Sequence, residues 1–212
     1  MRIAVVIGTR PEIIKMAPII KELGKRGADF FIIHTGQHYS YNMDEVFFKQ
    51  LELPQANFKL EVGSGSHAGQ TAKILTGVEE ILKLEKPDII LVKGDTNSVL
   101  ASALAAAKLH IKVGHVEAGL RSGGKQMPEE INRILTDHCS DYLFAPTEIS
   151  KTNLMRENID EVTIFITGNT IVNALMQNLE IAKHEADILQ QLNLDPKGPL
   201  KQGIPKAILL NG

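Results

Sequence analysis

Short continuous runs of apolar residues recur along the chain, without the regular polar alternation of a half-buried strand. Strands that are apolar on both faces are typical of a parallel sheet that is covered by helices on both sides. The runs that we predict to be strands occupy residues 3–7, 30–33, 89–92, 111–116, 142–145 and 162–166.

The segments between these runs place apolar residues at helical spacing, so strand and helix alternate along the chain. This order predicts an α/β fold, a Rossmann-like doubly wound parallel sheet with right-handed crossovers. Residues 54–69 are the least regular stretch, and the Gly-Ser repeat at 63–66 predicts a flexible loop. The predicted helices occupy residues 13–23, 41–51, 71–84, 97–109, 128–139 and 147–158.

An amphipathic run follows the last predicted strand and continues to about residue 194, where prolines and a glycine at 196–199 indicate a break. Residues 206–210 then have the apolar profile of a strand that opens a new sheet. A strand without partners cannot satisfy its backbone groups, so we expect this chain to be the front portion of a longer protein. The predicted parts are an N-terminal Rossmann-like domain (1–170), a helix and interdomain linker (171–198) and the start of a truncated C-terminal domain (199–212).

The 23 basic and 25 acidic side chains among 212 residues give a net charge of −2. The chain therefore lacks the basic excess that recruits a nucleic-acid backbone or an anionic membrane, and we expect neither as a partner. The single cysteine, Cys139, excludes an internal disulfide and suits a reducing compartment. No apolar run is long enough for a signal-peptide core or a membrane span, so we expect a cytoplasmic location.

Polar residues and glycines follow the predicted strands, at the sheet edge where open parallel sheets bind their ligands. Arg10 lies in the first strand-to-helix turn and Lys15 lies one helical turn later, an arrangement that suits a phosphate group. The same spacing also fits a plain helix start with two solvated cations. No G-x-G-x-x-G segment follows the first strand, so a nicotinamide or flavin cofactor is not supported.

Three acidic residues are predicted to share this edge of the sheet. Asp95 and Glu117 each follow a buried strand, and Glu129 lies in the first turn of a helix that Pro128 opens. Two of these positions also have a structural interpretation. Asp95 or its neighbour Thr96 fits a helix cap, and Glu129, like Glu130, fits a first-turn acid that the helix dipole favours. Removing a proton and returning one requires two carboxyl groups with different pKa values. Acids that share one edge of the sheet can supply such a pair.

Other reactive side chains give weaker signals. Strand alternation is expected to place His115 and Glu117 on one face, but no third ligand can be identified, so we predict no metal site. His38 is either a ligand contact or a turn residue. Cys139 has no basic neighbour in sequence, which favours a small core residue over a nucleophile.

Six motifs, in order and spacing, resemble the non-hydrolysing UDP-N-acetylglucosamine 2-epimerase family from the first residue to about residue 194. They are Ile7-Gly8-Thr9-Arg10-Pro11-Glu12, Thr35-Gly36-Gln37-His38, Gly94-Asp95-Thr96, His115-Val116-Glu117-Ala118-Gly119-Leu120-Arg121-Ser122, Pro128-Glu129-Glu130-Ile131-Asn132-Arg133 and Thr167-Gly168-Asn169-Thr170.

The resemblance implies a cytoplasmic isomerase with two Rossmann-like domains in the glycosyltransferase B arrangement, of which this chain is the N-terminal half. Such an enzyme interconverts UDP-GlcNAc and UDP-ManNAc for cell-envelope polysaccharides, uses no cofactor and forms a homodimer. A base removes the proton at sugar C2 while UDP leaves C1, and UDP adds back to the 2-acetamidoglucal after protonation on the opposite face.

The resemblance also assigns residue roles. It implies that Asp95, Glu117 and Glu129 are catalytic, without deciding which is the base and which the acid. The residues that it places at the substrate are Arg10, Lys15, Gln37, His38, Gln70 and Arg121.

This sequence departs from the family pattern at two places. The segment 122–125 lacks the acidic residue that members carry, and the chain ends where members continue with Thr-x-His-Arg and a second domain that holds most of the UDP. We therefore expect the chain alone to be nearly inactive. Two alternatives are the hydrolysing 2-epimerase, which releases free ManNAc and UDP, and a non-catalytic module that binds nucleotide sugars or another chain.

Overall fold

A computed structural model of the chain describes residues 1–37, 41–124 and 126–185, without the side chains of 41–43 and 180–185. Strands and helices alternate throughout these ranges. The strands are β1 (Arg2–Ile7), β2 (Asp29–His34), β3 (Phe58–Lys59), β4 (Ile89–Lys93), β5 (Lys112–Val116), β6 (Tyr142–Ala145) and β7 (Ile164–Ile166). The helices are α1 (Arg10–Lys25), α2 (Tyr41–Gln50), α3 (His67–Glu85), α4 (Asn97–Lys108), α5 (Pro128–Cys139), α6 (Glu148–Arg156) and α7 (Thr170–Glu185), with one 3-10 turn at Glu161–Thr163.

The seven strands form one parallel sheet in the order β3-β2-β1-β4-β5-β6-β7. The chain runs outward from β1 to β3 and then returns to place β4 on the other side of β1, so the strand order reverses between β1 and β4. A crevice opens at such a reversal, at the carboxyl ends of the strands. The predicted Rossmann-like α/β fold is confirmed.

Apolar side chains on both faces of the strands give the sheet a core on each side. Ile3, Val5 and Ile7 of β1 pack towards α1 and α2, and the alternating Ala4 and Val6 pack towards α3 and α4. Burial of this kind contributes about 25 cal/mol for each Å² of apolar surface removed from water. The continuous apolar runs in the sequence therefore have the structural role that was predicted for them.

Two of the differences between the predicted and the observed elements have a clear physical cause. Residues 162 and 163 belong to the 3-10 turn, which the Asp160 carboxylate caps by accepting the Val162 N–H at 3.2 Å, so the strand begins only at Ile164. The stretch predicted as a loop contains the two-residue β3 and the start of α3. Ser66 begins that helix because its hydroxyl accepts the Gly69 N–H at 3.2 Å.

The sheet and the first six helices lie in a compact unit, Met1–Leu175. No helix in the described ranges is both long and apolar enough to cross a membrane. His38, the linker from 186 onward, the strand at 206–210 and the start of a C-terminal domain lie outside the described residues. The predicted domain limits stay predictions.

Gly119, in the turn after β5, fits its site only because it lacks a side chain. Its φ angle is +77°, in the left-handed region that favours glycine. A Cβ atom there would overlap the Ser150 carbonyl oxygen and lie 2.8 Å from Cγ of Leu154. Gly123 has nearly the same φ, +79°, but a Cβ atom there would meet nothing within 4 Å.

We expect Gly119→Ala to lower the free energy of unfolding by about 2 to 5 kcal/mol, because left-handed strain of about 1 to 2 kcal/mol adds to overpacking of about 1 to 3 kcal/mol. Gly123→Ala is the matched control, which carries only the strain of about 1 to 2 kcal/mol. Urea denaturation followed by circular dichroism measures both. Equal losses in the two variants would contradict the steric argument.

Candidate active site

The turns that follow β1 and β4 are joined by a buried carboxylate at the point where the strand order reverses. Glu12, on the first turn of α1, accepts the Gly8 N–H at 2.5 Å and the Thr96 hydroxyl at 2.7 Å. Burial raises the pKa of Glu12 above its usual value, and the two hydrogen bonds only partly oppose that effect. Glu12 thus holds two turns of the predicted ligand edge together.

Glu117, directly after β5, lies against two lysines. Its carboxylate forms an ion pair with Nζ of Lys93, the last residue of β4, and Nζ of Lys15 on α1 lies 3.1 and 3.2 Å from its two oxygens. The side chains of Glu117 and Lys93 are only 9% and 5% exposed, so water screens their attraction little.

The backbone of Glu117 explains why these three side chains meet. Alternation along β5 predicts that Glu117 shares a face with His115, but Glu117 has a φ angle of +71°. The left-handed turn sends its carboxylate to the face of the sheet that α1 covers, where Lys93 also points. His115 instead contacts Asp137 of α5 on the opposite face. The predicted sharing of one face was therefore wrong.

Burial and charge act in opposite directions on this cluster. Burial raises the pKa of the Glu117 carboxyl group, but Lys93 and Lys15 together lower that pKa by more, so it lies below its usual value. Burial lowers the pKa of Lys93 to about 8, although Glu117 partly compensates. Glu117 is therefore an ionised carboxylate at neutral pH, beside a lysine that loses its proton more readily than most.

Asp95, in the turn after β4, pairs with Arg133 of α5, and NH1 of Arg133 also lies 3.1 Å from Glu130. The Asp95 backbone carbonyl accepts the side-chain amide of Asn132 at 2.9 Å. The helix cap predicted for Asp95 or Thr96 is Thr96, whose hydroxyl accepts the Val99 N–H at 3.4 Å. The Asp95 carboxylate is left at the edge, about one third exposed.

The two first-turn acids of α5 have different environments. Glu130 is buried, and its carboxylate accepts the N–H groups of Ser122 and Gly123 at 3.1 to 3.3 Å. Glu129 is half-buried and lines an open cavity of about 320 Å³. Glu130 therefore anchors the preceding loop, while Glu129 faces space that a ligand can enter.

Amide side chains line the same cavity. Gln70 of α3 accepts a hydrogen bond from the Asn97 amide at 2.9 Å and donates to the backbone carbonyls of Gly63 and Gln37. The carbonyl oxygen of the Gln37 side chain accepts the Ser98 hydroxyl at 2.8 Å. The structure thus brings Gln37, Gln70 and Glu129 together around one polar cavity.

The two predicted arginines lie in different surroundings. Arg10 is partly exposed on α1, with Nε 3.6 Å from Asp44 of α2. Arg121 is 11% exposed and pairs with Asp137 at 2.8 Å and Glu157 at 2.6 Å. Among the described residues, Arg121 therefore has two close carboxylate partners, whereas Arg10 has one at 3.6 Å.

Sequence reasoning assigned no role to Lys93, Glu12 or Arg133. Lys93 leaves a signal, because it is the one charged residue that ends an otherwise apolar strand, Ile89–Lys93. Glu12 and Arg133 lie within two of the six motifs, but their roles depend on contacts with the turn after β4, through Thr96 and Asp95. The described residues contain no group of three or more metal-capable side chains.

We expect Lys93→Met to raise the pKa of Glu117, because burial of the carboxylate remains while the cation that lowers its pKa most is lost. The stability that ionised Glu117 contributes is lost as the pH falls through its folded pKa, so in this variant that loss begins at a higher pH. Lys15→Met, which removes the weaker cation, is the matched comparison. NMR titration of the Glu117 carboxyl carbon measures both, and a larger rise in Lys15→Met would contradict this ranking.

Comparison with known proteins identifies the family of this chain. The family model described as UDP-N-acetylglucosamine 2-epimerase matches residues 21–199. The chain is 58% identical over 188 residues to a UDP-N-acetylglucosamine 2-epimerase of Methanocaldococcus jannaschii, covering 89% of this chain and 51% of that protein. The chain thus spans about half the length of the curated relatives it matches.

Solved structures with bound ligands resemble the chain closely. The M. jannaschii UDP-GlcNAc 2-epimerase in complex with UDP-GlcNAc and UDP has a TM-score of 0.87 and 57% identity, covering 91% of this chain and 53% of that chain. The UDP-GlcNAc 2-epimerase of Neisseria meningitidis bound to UDP-GlcNAc has a TM-score of 0.84 and 40% identity, covering 91% and 52%. Sequence and fold agree, and this chain belongs to the UDP-N-acetylglucosamine 2-epimerase family.

Proposed function

We propose that this chain supplies the N-terminal domain of an enzyme that interconverts UDP-GlcNAc and UDP-ManNAc. The observation that carries the proposal is the ionised Glu117 between Lys93 and Lys15, at the strand-order reversal of a chain from this family. The relatives of known structure that bind UDP-GlcNAc support the choice of substrate. Their greater length supports a second domain that completes the cleft.

The proposed chemistry needs a base on one side of sugar C2 and an acid on the other. Glu117 is the candidate for accepting the C2 proton, because its lysines keep it in the ionised form that can accept a proton at neutral pH. Asp95 and Glu129, at the same sheet edge, are the candidates for returning a proton to the opposite face. Arg10 and Lys15 carry the positive charge that a departing diphosphate requires.

The polar cavity lined by Gln37, Gln70 and Glu129 is proposed to face the nucleotide sugar. Amide side chains of this kind hydrogen-bond neutral hydroxyl and acetamido groups without adding charge. His38 and Arg121 complete the proposed substrate-binding set. No cofactor is required, because the proton and the leaving UDP account for every bond that forms and breaks.

The proposal is tested with a chimaera in which this chain replaces the half of the M. jannaschii enzyme that it matches. We expect the chimaera to form UDP-ManNAc from UDP-GlcNAc and, in D₂O, to exchange the C2 proton for deuterium, both followed by ¹H NMR. We expect residues 1–212 alone to form little UDP-ManNAc, because they span about half the length of the relatives and we propose that the other half positions UDP. Robust turnover by the chain alone would contradict the proposed division of labour.

In the chimaera, we expect Glu117→Gln to lower kcat at least about 100-fold with a smaller change in KM, because the base is lost while the binding contacts remain. Glu80→Gln, on the exposed surface of α3, is the control and should retain full activity. An unchanged kcat in Glu117→Gln would exclude Glu117 as the base.

The products distinguish the alternatives. Free ManNAc together with UDP would identify the hydrolysing reaction. Binding of UDP-GlcNAc in calorimetry with neither product would identify a non-catalytic module that binds nucleotide sugars.

A further inference from the structure

His115, near the end of β5, is fully buried and has a hydrogen-bond partner at each ring nitrogen. Nδ1 lies 2.6 Å from the Asp137 carboxylate of α5, and Nε2 lies 2.8 Å from the backbone carbonyl oxygen of Gly94. A carbonyl oxygen only accepts hydrogen bonds, so Nε2 must carry a hydrogen at this distance. The Gly94 contact therefore decides the state of one ring nitrogen.

Asp137 decides the state of the other ring nitrogen. Its second oxygen accepts the Gly119 N–H at 3.2 Å and lies 2.8 Å from the Arg121 guanidinium. Burial raises the pKa of Asp137, but its partners lower it by more. Arg121 and the Gly119 N–H favour the ionised form whatever the state of His115, so this fully buried group is a carboxylate. A carboxylate can only accept, so Nδ1 of His115 also carries a hydrogen.

The charges around this pair alternate in sign. The Arg121 guanidinium bridges Asp137, at 2.8 Å, and Glu157, directly after α6, at 2.8 and 2.6 Å. His138 of α5 lies 3.7 Å from the same glutamate. An imidazolium at His115 completes the order cation, anion, cation, anion from His115 through Asp137 and Arg121 to Glu157.

We propose that His115 is a buried imidazolium and that the His115–Asp137 pair is a positioning device for the two acidic turns of the site. Nε2 of His115 holds the carbonyl of Gly94, the neighbour of Asp95. Asp137 holds the N–H of Gly119, two residues beyond Glu117. The pair therefore fixes the spacing of the turns after β4 and β5. Its effect on catalysis rests on the proposed function, whereas its charge state and its hold on the two turns do not.

The charge state is tested by ¹⁵N NMR of the ring nitrogens in the whole chain, at a pH about one unit above the ordinary histidine pKa of about 6.5. We expect both ring nitrogens of His115 to resonate as N–H nitrogens, with ring protons that exchange slowly because the site is buried. His115→Gln identifies the signals by their loss, and His138→Gln is the matched control on a half-exposed histidine. One bare, pyridine-type nitrogen at His115 would overturn the inference.

The positioning role is tested with Asp137→Asn, because its single oxygen can accept from Nδ1 of His115 or from the Gly119 N–H, but not from both. We expect the Gly94 carbonyl and Gly119 amide signals to shift, together with the carboxyl carbons of Asp95 and Glu117. Glu80→Gln, on the exposed surface of α3, should leave all four unchanged. Unchanged carboxyl signals in folded Asp137→Asn would overturn the positioning role. If this variant does not fold, the His115→Gln chain provides the same four signals.

In the active chimaera, we expect Asp137→Asn to lower kcat by about tenfold to a hundredfold with KM nearly unchanged, because the turns that carry Asp95 and Glu117 are displaced. A purely structural role predicts a lower melting temperature and an unchanged kcat, which would overturn the catalytic part. An unsubstituted chimaera without epimerisation would contradict the proposed function instead. The NMR results on the chain alone would still decide the inference.

Discussion

The ion pairs of Glu117 with Lys93 and Lys15 are the interaction on which the site depends. Removing charges from water costs several kcal/mol for each ion, so an unpaired carboxylate at this depth would take up a proton. The two lysines prevent this, and they do so from different segments, the end of β4 and the middle of α1. The site therefore exists only when the sheet and its first helix are packed together.

Each turn at this edge is held by a polar group from another segment. Glu12 joins the turns after β1 and β4, and Glu130 holds the loop that precedes α5. His115 and Asp137 join the turns after β4 and β5. Because these contacts are buried, losing one partner leaves a polar group without water or a substitute. The turns therefore present their acids in one defined arrangement.

Much of the fold could be predicted from the chain alone. Apolar runs such as Ile3–Ile7 indicate buried strands, because both faces of a parallel sheet are covered. This pattern can be recognised without knowing which strands pair with each other. The two-residue β3 could not be predicted, because two residues are too short for any periodicity. The 3-10 turn before β7 could not either, because apolar Val162 continues the strand pattern and only the Asp160 cap removes it from the strand.

The sequence by itself determined which residues lie at the carboxyl edge, among them Asp95, Glu117 and Glu129. Chain order and strand direction already place every strand end at one edge of the sheet. The tertiary structure alone decided which groups they face. Lys93 is adjacent to Glu117 only through the pairing of β4 with β5 and the left-handed backbone of Glu117. A charge state in the interior depends on neighbours within a few Å, and distant segments supply those neighbours only once the chain is folded.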